Sequence, residues 1–139
     1  MATEFNPTNY PATQMSPAEL DGDPWETYAK CKDVDPDVFF PPKGGSLAEA
    51  YWYCGNCAVR AMCLESALSP DITDNAGSRA ALSVRDIASA RKLAAKSMEV
   101  AIESVYRTQK VNMESGHQFK ARQIAREGRA KRARPLKRA

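Results

Sequence analysis

Apolar positions along this chain recur at helical spacing, and no segment alternates with the two-residue period of a strand. The longest pattern is Ile87, Ala94, Met98, Ala101 and Val105, at intervals of three, four or seven, behind Ser83 with Asp86 three residues on as a capping pair. It predicts a helix from Ser83 to about Glu114, where Ser115-Gly116 offers an end, and its seam needs a partner surface. Val59, Met62, Cys63 and Leu64 predict a second helix over residues 58–68, stopped by Ser69-Pro70. Ser46 and Glu49 read as a capping box for a helix carrying Ala50 and Trp52 to Cys54. Asp23, Pro24 and Glu26 start a short helix over residues 24–31 that ends at Cys31. Residues 32–45 hold Asp-Pro-Asp, Pro-Pro and Gly-Gly, an anchored loop whose Phe39 and Phe40 need burial. The expected fold is all-α: a small bundle of short helices, then a longer helix and a tail.

The organisation predicted is a flexible arm over residues 1–22, punctuated by Pro7, Pro11 and Pro17, a domain of short helices over 23–95, a helix extension over 96–117 and a tail over 118–139. No stretch approaches the roughly 18 apolar residues of a membrane span, and residues 1–10 lack the basic and apolar regions of an export signal. No membrane partner and a cytoplasmic location are expected.

Charge changes the picture. The net charge of +3 conceals two halves: residues 1–78 hold 4 basic and 12 acidic side chains (−8), whereas residues 79–139 hold 16 basic and 5 acidic (+11). That asymmetry is expected of a chain that offers one end to a polyanion, and nucleic acid is the obvious one. The tail concentrates it: Lys120, Arg122, Arg126, Arg129, Lys131, Arg132, Arg134, Lys137 and Arg138 stand against Glu127 alone, for +8. A segment so poor in apolar residues is not expected to fold by itself, and contact with phosphates is its natural use. The rival reading is a solvated tail that keeps the protein soluble.

Four cysteines, Cys31, Cys54, Cys57 and Cys63, lie within 33 residues of the acidic half. In a reducing compartment this grouping points to metal or redox chemistry before a structural disulfide framework. The spacing C-x22-C-x2-C-x5-C brings three thiols from a helix-loop-helix to a fourth from a preceding helix, all able to face one centre. Tetrahedral zinc and an iron–sulfur cluster both accept four thiolates; a single C-x2-C knuckle departs from the two of a zinc ribbon. Trp25, Phe39, Phe40 and Trp52 can serve to keep water from such a centre or as ordinary core. His117, far along the chain, reads as a solvated side chain. Cys54-Gly-Asn-Cys57 follows a helix where a thioredoxin-like motif follows a strand, and no Walker lysine, carboxylate pair or nucleophile elbow occurs.

The run Cys31-Lys-Asp-Val-Asp-Pro-Asp-Val-Phe39-Phe40-Pro-Pro-Lys-Gly-Gly-Ser46, followed by Cys54-x2-Cys57-Ala-Val-Arg-x2-Cys63-Leu-Glu-Ser-Ala-Leu68 and Leu82-Ser83-x-Arg85-Asp86, resembles the WhiB-like family of actinobacteria and their phages. The likeness covers about half the chain, residues 23–91. It implies a small transcription factor with a [4Fe-4S] cluster on Cys31, Cys54, Cys57 and Cys63, around which the short helices gather. It further implies aromatic contacts from Trp25, Phe39 and Phe40 to the C-terminal domain of the primary sigma factor within RNA polymerase, and a basic C-terminal segment on promoter DNA. One departure stands out. Where the family has Gly-Ile/Val-Trp-Gly-Gly, this chain reads Gly77-Ser78-Arg79-Ala80-Ala81, which loses a large apolar contact and closes backbone angles that glycine would open. Weakened or altered sigma binding follows, in a divergent member of phage-borne type. The tail has Arg134-Pro135 without the Arg-Gly-Arg-Pro of a minor-groove hook, so phosphate contact is better supported than base reading.

The function expected is therefore a regulator and not an enzyme. Its rivals are a competitor that occupies sigma factor or promoter against a host WhiB-like protein, and a thiol-disulfide reductase using Cys54 and Cys57 without a cluster.

Overall fold

The computed structural model describes residues 10–42, 45–69 and 77–133. Among these the fold is all-α: helices α1 (Ala48–Gly55), α2 (Arg60–Ala67), α3 (Val84–Lys96) and α4 (Met98–Ala133), with 3-10 turns at Pro17–Leu20, Trp25–Tyr28, Lys30–Asp33 and Pro36–Phe39. The β pairing among the described residues is one bridge, Arg79 to Leu82, closing a turn. Leu64, Ala67 and Leu68 from α2 and its end, Ala80 and Leu82 from that turn, Ile87 and Ala90 from α3, and Val105 from α4 form the core. No described helix is long and apolar enough to cross a membrane.

Local chemistry explains which predicted starts hold. At α3 the Ser83 hydroxyl accepts from the Asp86 N–H (3.1 Å) and the Asp86 carboxylate accepts from the Ser83 N–H (3.0 Å), the expected reciprocal box. At α1 the Ser46 hydroxyl instead accepts from the Ala48 N–H (3.0 Å), and the helix begins behind Leu47 without a side-chain cap. The predicted helix over 24–31 is two 3-10 turns broken at Ala29, whose ψ of 132° is extended. Asp23 is drawn away from capping by the Tyr28 hydroxyl, which donates to it at 2.7 Å.

The single helix expected behind Ser83 is two. Ser97 is extended (φ −156°, ψ 114°), and α4 folds back along α3 so that Asn112 reaches Asp86 (3.3 Å) at the far end of α3. Folding back buries Ala101 and Val105 with Ile87 and Ala90 and leaves Met98, a predicted seam residue, 50% exposed.

Nor does the helix stop at Ser115-Gly116. It runs to Ala133, and Gly116 is where α4 crosses α1: a Cβ there would overlap the backbone of Trp52. A mid-helix glycine costs about 1 kcal/mol against alanine; the close approach of two backbones offsets it. The tail, expected not to fold, is thus helical through Ala133, because extending a packed helix avoids the nucleation cost that an isolated segment meets.

The N-terminal arm is docked from Tyr10 onward; residues 1–9 lie outside the described residues. Ala12 and Met15 donate N–H groups to Gly55 O and Ala58 O, both at 2.8 Å. The Tyr10 hydroxyl donates to Met113 O (2.7 Å) on α4, and its ring lies against Gly55 and 5.2 Å from that of His117. His117 is therefore half-buried packing, not the free solvated side chain expected.

Candidate metal centre

The cysteines arrive on three local structures. Cys31 sits in the Lys30–Asp33 turn, Cys54 in the last turn of α1, Cys57 just past it with its N–H on Cys54 O (3.1 Å), and Cys63 in α2 with its N–H on Val59 O (3.0 Å). All four are free thiols; Cys54 and Cys57 are buried, Cys63 is partly so, and Cys31 is exposed at the rim. They line one cavity of about 650 Å³. Among the described residues no three Cys, His, Asp or Glu side chains converge closely enough to hold a metal ion. All four thiols nonetheless face one shared space. Tetrahedral zinc and an iron–sulfur cluster are both held by four thiolates, so the donor set fits either.

Burial pushes the Cys54 thiol up to about 12, opposed by a hydrogen bond from the Ala81 N–H and reinforced by Cys63, Cys57 and Cys31. Burial likewise raises Cys63 to about 11, with Cys57 and Cys31 adding to it and Arg79 and the Ala80 N–H opposing. Cys31 is raised by desolvation and then by Cys57. Burial first, and then the neighbouring thiols, therefore disfavour ionisation of Cys54, Cys63 and Cys31 until a cationic centre joins them. Arg60 on α2 supplies one positive charge nearby; its guanidinium Nη1 donates to Cys54 O (3.1 Å) and Gly55 O (3.2 Å). Gln14 from the N-terminal strap adds a clasp, donating to Cys57 O (2.8 Å) and accepting from the Ala61 N–H (2.7 Å).

These raised values carry a sign. A thiol that titrates higher in the folded than in the unfolded chain stabilises the fold fully below its ordinary value of about 8.5, and that stability is lost as pH rises toward the folded value. The melting temperature of reduced, metal-free protein should fall steadily from about pH 8 to about pH 11, and Cys54→Ser should flatten the fall. A level profile across that window would contradict the burial of these thiols.

The turn over residues 77–82 forms one wall. Gly77 (φ 82°) lies under the Phe40 ring, where a Cβ would come to 2.7 Å of Cζ. Ala80 and Ala81 are left-handed, at φ 53° and 62°. The loss of glycine has not closed these angles: the alanines adopt them, at roughly 1–2 kcal/mol each. Hydrogen bonds hold them there. The Ser78 hydroxyl donates to Leu82 O (2.9 Å), Gln109 Nε2 to Ala80 O (2.7 Å) and Asn112 Nδ2 to Ala81 O (2.8 Å).

Trp25, Phe39 and Phe40 line the same cavity, and Arg79 stands with them. The Ser78 N–H donates to Phe39 O (3.2 Å), tying the aromatic loop to the turn, and Phe40 is 52% exposed. Trp52 is elsewhere: it is buried at the α1–α4 crossing, edge-on to Tyr53, with the Lys120 ammonium 4.5 Å from its ring centroid. Lys120 also donates to Gln123 (3.1 Å). Arg122, Arg126 and Arg129 are exposed along α4 and Lys131 and Arg132 continue it; Arg134, Lys137 and Arg138 lie outside the described residues.

Arg60, Gln14, Gln109 and Asn112 were not predicted as site residues. A signal existed for two of them: Gln109 and Asn112 continue the Ala101, Val105 seam at spacings of four and three, amides where the pattern calls for apolar groups.

Residues 25–86 match a family model described as transcription factor WhiB. Transcriptional regulator WhiB2 of Mycolicibacterium smegmatis is 49% identical over 53 residues, 38% of this chain and 41% of that protein. WhiB2 of Mycobacterium tuberculosis is 51% identical over 49 residues (35% and 55%), and WhiB of Streptomyces coelicolor 51% over 47 residues (34% and 54%). The chain thus spans about half the length of the curated relatives it matches. No solved structure gives a significant match.

Proposed function

Because this chain belongs to the WhiB-like family, we propose that it is a transcriptional regulator that holds a [4Fe-4S] cluster and joins the C-terminal domain of the primary sigma factor to promoter DNA. The observation that carries this reading is the single cavity lined by Cys31, Cys54, Cys57 and Cys63 together with Trp25, Phe39 and Phe40. When bound, the cluster supplies a centre that oxidants alter. The chain's own residues do the rest: four cysteines hold it, Arg60 and Arg79 offset its negative charge, and the half-exposed aromatics beside it present an apolar face to sigma factor. The basic helical end, with Arg122, Arg126 and Arg129 free on the surface, meets phosphates along a rigid rod.

Trp25→Ala, Phe39→Ala and Phe40→Ala should each weaken binding to the isolated sigma domain by about 1–2 kcal/mol, the range of a moderate interface anchor. Arg79→Trp should strengthen it. Calorimetry on brown, cluster-loaded protein reads both, and wild-type affinity in all three alanine variants would place the partner surface elsewhere.

Arg79 also supports a second reading, a competitor that occupies sigma factor or promoter against a host WhiB-like protein, because a guanidinium on that wall alters the apolar contact. The two separate in a transcription assay: a regulator changes promoter output alone, a competitor only when a second WhiB-like protein is present. The reductase reading is disfavoured, since Cys54 is buried and its thiol is pushed up, the reverse of an attacking thiol.

A further inference from the structure

Consecutive N–H groups presented by a tight turn form a concavity that binds anions, thiolate sulfurs of metal clusters among them. The turn at Ala80 and Ala81 has that form. Both residues are left-handed and at most 2% exposed, Ala80 lines the same cavity as Cys54 and Cys63, and the backbone N–H groups of Ala80 and Ala81 favour the thiolates of Cys63 and Cys54 respectively. Behind the turn, two amides of α4 grip its carbonyls, Gln109 on Ala80 and Asn112 on Ala81. Gln109 is 5% exposed and Asn112 is braced by Asp86, which is itself held in the capping box of α3. Alanine does not take up this backbone unaided, so the amides determine whether the N–H groups face the cysteines.

We propose that Gln109 and Asn112 are positioning residues for the metal centre: by holding Ala80 and Ala81 left-handed they aim two backbone N–H donors at the Cys63 and Cys54 sulfurs and so set the reduction potential and iron-loss rate of the cluster bound there. The inference rests on the cluster reading above. Hydrogen bonds to ligand sulfurs stabilise the more negative, reduced state and raise the potential. Neither α4 residue touches the cavity; both act through the turn.

The test uses full-length protein reconstituted anaerobically with ferrous iron and sulfide. Gln109→Met and Asn112→Leu keep volume and remove the donors. Each should bind iron at the wild-type ratio, titrate at a more negative potential and lose iron to a chelator severalfold faster, with the double variant further displaced. Adding Ala80→Gly and Ala81→Gly to Gln109→Met should move both readouts back toward wild type, since glycine takes up the left-handed turn without help. Ile87→Val, a mild change in the same core, should leave the potential in place. Should Gln109→Met fail to fold, Asn112→Leu at the half-buried site decides: wild-type potential and wild-type iron loss with the cluster bound overturn the proposal. Wild-type protein that takes up zinc but no iron and sulfide overturns the cluster reading itself, and this inference with it.

Discussion

Changing any one of Cys31, Cys54, Cys57 or Cys63 to alanine is expected to give colourless protein that melts far below the metal-loaded wild type, near the temperature of metal-free protein. The magnitude follows from the size of the domain. A fold this small is stable by about 5–15 kcal/mol at most, and binding at a structural thiolate metal site is worth about 10 kcal/mol or more, nearly all of it expressed as folding free energy. The core of Leu64, Ala67, Leu68, Leu82, Ile87, Ala90 and Val105 lies on the α2–α3–α4 side, whereas the turns that carry Trp25, Cys31 and Phe39 contribute no fully buried residue. Those turns should therefore loosen first, and α4 should keep its helicity longest. A control separates ligand loss from packing loss: in metal-free protein, where burial keeps Cys54 protonated, Cys54→Ala should cost little. Iron content measured beside the melting curve checks this, and a variant that retains wild-type iron would remove its cysteine from the ligand set.

Cutting the chain after Gln123 should abolish most DNA binding while leaving the rest of the molecule intact. The position matters. A cut after Gly116 would also remove His117 from Tyr10 and Lys120 from Trp52, and so disturb the body of the protein. After Gln123 the lost segment carries seven basic residues and Glu127, a net +6, so the cut changes the protein's charge by −6. Each phosphate released contributes a slope of about −0.9 in log affinity against log salt. Full-length protein should therefore weaken by orders of magnitude between about 50 and 200 mM salt, and the truncated protein far less. Equal affinity and equal slope for the two would move the DNA-binding element to another part of the chain, while iron content and sigma binding report that the body survived.

What was legible depended on the range of the contact. The Ser83 and Asp86 box, the helix over α2 and the grouping of four cysteines are local, and the structure keeps them. The break at Ser97 was invisible because apolar spacing runs unbroken across it; what ends the helix is the burial gained when Ala101 and Val105 return to Ile87 and Ala90. Tyr10 and Gln14 looked like residues of a loose arm because their partners, Met113 O and Cys57 O, lie 103 and 43 residues away. The alanines at 80 and 81 were read as closing a left-handed turn, a sound inference from one residue's own energy. It missed the two amides on α4 that supply the difference. Gly116 was read as a stop for the same reason: alone it is a poor helix former, and only the backbone of Trp52 explains it.

That glycine also fixes an angular phase. With α4 pinned on α1 at residue 116 and unbroken to Ala133, the azimuth at which Arg122, Arg126 and Arg129 project is set relative to the cysteine cavity by residue count alone. Each residue advances a helix by about 100°, so one residue inserted between Lys120 and Arg122 would swing the basic stripe by more than a quarter-turn while the crossing of α4 on α1 at residue 116 stays in place. Two residues would carry it to the opposite side. Any surface that must meet the cavity and the stripe at once therefore sees the chain as a ruler with a heading, in which deletions and insertions near residue 121 re-aim the rod while substitutions leave its bearing unchanged.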